Sequence, residues 1–89
     1  MFNLELFTND CYKLLKFFYD NQIEVKDNYY VALSQQEIAD ILHFSKQKTN
    51  NIIRLLKEND YLSAYQNMRG KYMITNKGYK VIEIIERKY

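Results

Sequence analysis

The sequence predicts a small α+β domain, mainly helical, with a short β-hairpin and its elements in the order α-β-α-α-β-β-α. Three observations carry that prediction. Apolar residues recur at helical spacing in several separate windows. Two serines stand where two consecutive helices need caps, and a strand–turn–strand pattern precedes the last helical window. The 89 residues include no proline and two glycines, a composition that favours continuous helices with few tight loops. At this length one compact core is expected, and residues 1–89 read as a single domain. The chain is 47% hydrophobic and 16% aromatic, which argues against disorder.

The first helix is expected over residues 8–21. Cys11, Leu14, Leu15 and Phe18 fall at i, i+3, i+4 and i+7 on one face, and Thr8 is a suitable cap. Residues 20–28 are rich in Asp and Asn and read as a loop that contains Ile23 and Val25. Residues 29–33, Tyr-Tyr-Val-Ala-Leu, form a short β-prone run. Ser34 followed three residues later by Glu37 reads as a capping box, opening a helix with Ile38, Ala39, Ile41 and Leu42 that stops near His43 and Phe44. Ser45 caps the next helix, where Thr49, Ile52, Ile53 and Leu56 again mark one face. Its opposite face carries Lys46, Gln47, Asn50, Asn51 and Arg54, and it ends near Asn59 and Asp60, residues that tolerate left-handed backbone. Residues 61–65 and 71–75 read as two strands about a turn at 66–70. Thr75 can cap a last helix over 76–88.

The net charge of +2 is unevenly placed. Residues 1–44 hold three lysines and seven acids, whereas residues 45–89 hold ten Lys and Arg and four acids. Between Ser45 and Lys57 there is no acid, and Lys46, Lys48, Arg54 and Lys57 are present. Such a half suits a polyanionic partner, although charge alone favours the plainer reading of a solvated basic surface. No apolar run approaches the ~20 residues that cross a bilayer. The N-terminus carries Glu5 and no early Lys or Arg, unlike a secretory signal. Cys11 is the only cysteine; it lies on an apolar face, reads as core packing and fits a reduced, cytoplasmic setting. His43 is the only histidine, and there is no Cys or His cluster, glycine-rich phosphate loop, nucleophile elbow or carboxylate pair. No enzyme, metal or cofactor is therefore expected, nor a small-molecule effector.

Residues 35–56 resemble a helix-turn-helix. That motif needs a small residue where its second helix crosses the first, and Ala39 stands there, flanked by Ile38, Leu42 and Ile52, with Ser45 as the second cap. The departure is His43, where the motif usually has glycine because the turn takes positive φ. The stretch from Ser45 onward resembles the recognition helix and first wing strand of MarR-type winged-helix regulators, through Asn50-Asn51, Ile52-Ile53, Leu56 and Tyr61-Leu62, with Asp60 where that family usually has glycine. Ile74-Thr75-Asn76-Lys77-Gly78 resembles the junction that closes the wing. The resemblance covers residues 30–78. It implies a winged helix-turn-helix, with the helix-turn-helix at about 35–58, the wing at about 61–75 and a C-terminal helix at about 76–88. The chain is too short for all the dimerisation helices of the full fold, so no effector pocket is carried over.

The resemblance implies double-stranded DNA binding, with the Ser45 helix in a major groove. Lys46, Gln47, Asn50 and Asn51 would lie at the groove. Ser34, Ser45, Lys48 and Arg54 are expected near phosphates, and Arg69 and Lys71 flank the wing turn, within reach of phosphate or a minor groove. The last helix carries two apolar stripes, one of Tyr79, Ile82, Ile85 and Tyr89, the other of Val81 and Ile84 running to Lys88. A helix apolar on two sides of a small domain suits two partners. The expected second partner is another copy of the chain, through Phe17, Val81, Ile84, Ile85 and Lys88, so that a homodimer reads a palindromic site. The leading function is a transcriptional repressor of bacterial, phage or plasmid origin. A protein-binding winged helix (an assembly module or inhibitor) and a replication or partition accessory domain are the alternatives.

Overall fold

A computed structural model describes residues 10–68 and 70–87. The Thr8 cap, Arg69, Lys88 and Tyr89 lie outside the described residues. The elements are α1 (Asp10–Asn21), β1 (Ile23–Val25), β2 (Asn28–Tyr30), α2 (Gln35–Leu42), α3 (Lys46–Glu58), β3 (Leu62–Ala64), β4 (Tyr72–Ile74) and α4 (Asn76–Arg87).

α1 buries Leu14, Leu15 and Phe18, three of the four residues that its periodicity marks, and Cys11 is half-buried against the core. Asp10 in the first turn suits the positive end of the helix dipole. At the other end the Asn21 amide donates to the Phe17 carbonyl at 2.8 Å, which satisfies one of the terminal acceptors.

The stretch after α1 corrects the sequence reading. Residues 20–28 were expected to be a loop, but Ile23–Val25 pairs antiparallel with Asn28–Tyr30, with Ile23 opposite Tyr30 and Val25 opposite Asn28. The two turn residues, Lys26 and Asp27, both take positive φ, at 51° and 68°. That is the backbone of a tight primed turn, whose twist matches paired strands. The β-prone run at 29–33 is divided: its start belongs to this hairpin, while Val31 alone bridges Tyr72 through hydrogen bonds of 2.7 and 2.9 Å. The Tyr30 and Tyr65 rings stack at 4.3 Å, fastening the hairpin to the base of the second one.

α2 begins as the sequence predicts. Ser34 Oγ accepts from the Glu37 N–H, and the Glu37 carboxylate accepts from the Ser34 N–H at 3.0 Å. The helix ends at His43, which sits at φ 60°, ψ 37°; its N–H and that of Phe44 both donate to the Ala39 carbonyl. The sharp turn that favours glycine is therefore present without one. Left-handed backbone costs a β-carbon residue about 1–2 kcal/mol, offset in part by the freedom glycine brings to the unfolded chain. His43→Gly is expected to raise the unfolding free energy by about 0.5–1 kcal/mol, read from the urea midpoint at constant m. A lower midpoint would mean that the imidazole makes contacts worth more than the strain.

α3 starts at Ser45, whose Oγ accepts from the Lys48 N–H at 3.0 Å. It buries Thr49, Ile52, Ile53 and Leu56, the predicted face, and the Thr49 hydroxyl donates to the Ser45 carbonyl at 3.0 Å, so no polar group is left unpaired there. At its end Asp60 takes φ 64°, and the Lys77 ammonium donates to the Asn59 carbonyl at 2.9 Å.

β3 and β4 pair antiparallel, Leu62 opposite Ile74 and Ala64 opposite Tyr72, each strand one residue shorter at both ends than expected. Tyr65–Asn67 forms a single 3-10 turn beyond β3, and Gly70 sits at φ 77°. Thr75 Oγ accepts from the Gly78 N–H at 3.0 Å and so opens α4. The result is the predicted winged helix-turn-helix, with an additional hairpin before it.

One core, made of Leu14, Phe18, Ile38, Leu56, Tyr61 and Val81 with their neighbours, is shared by all four helices and the β3–β4 hairpin. This corrects the expected dimer surface. Val81 is 0% exposed and packs inside its own domain, so it cannot meet a second chain. The two stripes of α4 are largely one wide face: Gly78, Val81 and Ile82 are buried, and Ile85 packs against the core. Phe17 also packs against that core, and Ile84 is half-buried.

Candidate nucleic-acid interface

An α-helix turns 100° per residue, so burying Thr49, Ile52, Ile53 and Leu56 directs Gln47, Asn51 and Arg54 away from the core. Lys46, Gln47, Asn50 and Arg54 are exposed and Asn51 is half-buried. Arg54 Nη2 donates to Asn51 Oδ1 at 3.2 Å, and Arg54 Nε lies 3.9 Å from the Glu58 carboxylate. One helix face thus presents an ammonium, carboxamides and a guanidinium. These groups match the donors and acceptors of base edges and phosphates.

Lys48 is placed differently from the others. It lies about 100° around the helix from Gln47. Its ammonium forms an ion pair with Asp10 at the start of α1 and lies 4.6 Å from the centre of the Phe44 ring. Lys48 is therefore occupied on the α1 side of α3 and is not part of the Gln47–Arg54 face. Neither Asp10 nor Phe44 was singled out by sequence, because the pairing depends on how α1 crosses α3.

A cleft of about 480 Å³ runs from the start of α2 past the start of α3 to the β3–β4 hairpin, lined by Ser34, Gln35, Gln36, Lys46, Gly70 and Tyr72. It brings together Ser34 and Lys46, both predicted near DNA. Gln35, Gln36, Gly70 and Tyr72 were not predicted for it. The capping box at Ser34 was the available signal for the first two, since a helix start presents unpaired N–H groups. Ser45 is exposed and spends its hydroxyl on the cap of α3. Lys71 is half-buried, with its ammonium 5.4 Å from the centre of the Tyr30 ring, so it faces the first hairpin.

Tyr19, Tyr79, Ile82, Glu83, Glu86 and Arg87 line a groove of about 430 Å³ between α1 and α4. Lys16 of α1 lies 3.3 Å from Glu86 of α4, and the Tyr79 hydroxyl donates to the side-chain Oε1 of Gln22 at 2.9 Å. Burial, with Asp10 adding to it, pushes the Cys11 thiol above its ordinary range, which disfavours a reactive thiolate. Among the described residues no group of three His, Cys, Asp or Glu could hold a metal ion, and no helix is long and apolar enough to cross a membrane.

No family model matches the chain, and no curated protein matches it by sequence. Among solved structures it is similar to S. aureus MepR in complex with DNA, with a TM-score of 0.69 and 28% identity over 94% of this chain and 67% of that one. It is similar also to a point mutant of S. aureus MepR, with a TM-score of 0.70 and 27% identity over 94% of this chain and 61% of that one. The fold is a MarR-like winged helix, and the chain spans about two thirds of the length of these regulators. Both neighbours are DNA-binding regulators and not enzymes.

Proposed function

We propose that this chain is a single sequence-specific DNA-binding domain that regulates transcription by placing α3 in the major groove of double-stranded DNA. The observation that carries the proposal is the exposed face of α3, where Lys46, Gln47, Asn50, Asn51 and Arg54 stand together on a rigid helix capped at Ser45. The likeness to MepR in a DNA complex supports it. Gln47 and Asn50 suit base edges, while Lys46 and Ser34, which share the cleft at the start of α2, suit a phosphate. Arg69 would approach the duplex from the wing, whereas Lys71 stands against Tyr30 of the first hairpin. The reading extends to a repressor that occludes its site, in the cytoplasm of a bacterium or encoded by a phage or plasmid, as the S. aureus origin of the neighbours suggests. It extends also to a homodimer on a palindromic site, joined through Phe17, Ile84, Ile85 and Lys88.

Duplex titration across a salt series tests the proposal. For B-DNA each neutralised phosphate contributes about −0.9 to the slope of log K against log salt. Lys46→Ala is expected to reduce that slope by about one and to weaken binding to all sequences alike. Gln47→Ala should leave the slope unchanged and weaken the preferred site by roughly 1–3 kcal/mol. If no duplex is preferred over random DNA, the protein-binding alternative takes its place. That alternative has one specific observation in its favour: Ile23, Val25 and Tyr29 of the first hairpin are 48%, 42% and 47% exposed. Light scattering at micromolar concentration that gives only the monomer mass would overturn the dimer.

A further inference from the structure

Lys46 and Lys48 stand on either side of Gln47 in the first turn of α3. At 100° per residue their positions diverge by about 200°, so with Gln47 toward the floor of a major groove the two lysines flank it toward opposite walls. Each wall is a phosphate strand. The two ammoniums are nevertheless spent differently. Lys46 is exposed, lines the cleft at the start of α2 and takes part in no ion pair among the described residues. Lys48 has two partners at once: its ammonium pairs with the Asp10 carboxylate of α1 and lies 4.6 Å from the centre of the Phe44 ring. Both partners come from outside α3. A carboxylate is an oxyanion that accepts from an ammonium as a phosphodiester does. Asp10 therefore fills the place that a phosphate would take at Lys48. Because it is tethered to the domain, it stands beside the ammonium at every DNA concentration. An ion pair carries no net charge and so releases no counterions from DNA.

We propose that Asp10 is an affinity-determining residue of the DNA interface, which neutralises Lys48 as an intramolecular substitute for phosphate and so lowers binding to all sequences alike. The inference rests on the DNA-binding reading above. It leaves the preference among sequences unchanged, since a phosphate contact carries no sequence information.

Titrating a random-sequence duplex across a salt series tests it. Asp10→Asn keeps the size of the side chain and removes its charge. The Lys48 and Asp10 side chains are 45% and 38% exposed, so changing either opens no core. Asp10→Asn is expected to bind more tightly and to steepen the slope of log K against log salt by about 0.9, so that a fourfold rise in salt costs it about 3.5-fold more affinity than the wild type. The same change made in Lys48→Ala should leave the slope of that variant as it was. Lys48→Ala alone should reduce the slope by less than Lys46→Ala does. A wild-type slope in Asp10→Asn would overturn the inference. So would a gain that persists without Lys48, which would mean that Asp10 repels the duplex by itself, or a loss in Lys48→Ala as large as in Lys46→Ala, which would place Lys48 on a phosphate already. All three results would leave DNA binding standing. No salt-dependent duplex binding by the wild type would overturn the DNA-binding reading, and this one with it.

Discussion

Gly78→Ala is expected to destabilise the domain by about 3 kcal/mol or more, although the same change in an exposed helix interior normally adds about 1 kcal/mol of stability. Gly78 lies in the first turn of α4 and is buried. A β-carbon there would fall on the carbonyl oxygen of Tyr61 and 2.7 Å from Ile74 Cγ2. Neither neighbour can give way easily. The Tyr61 carbonyl accepts from the Thr75 N–H at 3.2 Å, the Tyr61 N–H donates to Leu56 at 2.8 Å, and the Tyr61 side chain is 0% exposed. Moving α4 away instead would draw Val81 and Ile82 out of the core and strain the Thr75 cap. Total stabilities of small domains are about 5–15 kcal/mol, so the loss is a large part of the whole. Urea denaturation followed by far-UV circular dichroism measures it. A variant as stable as the wild type would show that α4 does not approach Tyr61 this closely.

The position of Gly78 also shows what can be read from a sequence and what cannot. Its place in the junction Ile74-Thr75-Asn76-Lys77-Gly78 was legible as a pattern, but the reason for it, a helix pressed against the backbone of Tyr61 just before β3, is a tertiary contact. The same division holds elsewhere. Ser34, Ser45, Ala39 and the buried face of α3 were legible because caps and helical periodicity are local, with each signal lying within a few residues of its effect. The first hairpin was not legible. Its strands are three residues long, too short to show alternation, and its turn is Lys26-Asp27 where Asn-Gly or Asp-Gly is the usual signal. The two stripes of α4 were visible, but periodicity cannot tell one wide buried face from two separate ones. Only packing places Val81 inside.

The interface divides in the same way. The outward face of α3 follows from its buried face by geometry alone, so Gln47, Asn50 and Arg54 could be named. What each side chain does depends on partners that sequence spacing did not single out. Asp10 draws Lys48 toward α1 from far along the chain. Asn51 and Glu58 stand three and four residues from Arg54, and both reach its guanidinium.

Ala39→Leu is expected to cost about 2–3 kcal/mol and to abolish preferred-site binding in the fraction that remains folded. Ala39 is 1% exposed on α2, the shorter of the two helices of the motif. Its carbonyl accepts from both the His43 and Phe44 N–H groups, so the backbone at the crossing is fixed by the turn. Being buried, the position must take up three further carbons inside the packed domain, and overpacking of this kind typically costs 1–3 kcal/mol. Relief requires α3 to tilt away from α2. That motion is resisted by the Lys48–Asp10 ion pair on one side and by the Tyr61 N–H to Leu56 bond at the other end. A tilt large enough to seat a leucine displaces the Gln47–Arg54 face, and contacts to base edges tolerate little displacement. Ala39→Ser, which adds one small atom able to bond back to the preceding turn, should stay within about 1 kcal/mol of the wild type and keep binding. Denaturation curves and mobility shifts on the same preparations separate the two effects. If Ala39→Leu unfolds within 0.5 kcal/mol of the wild type (about the size of an ordinary surface substitution) and binds equally well, the close crossing of α2 and α3 is not what sets the recognition helix in place.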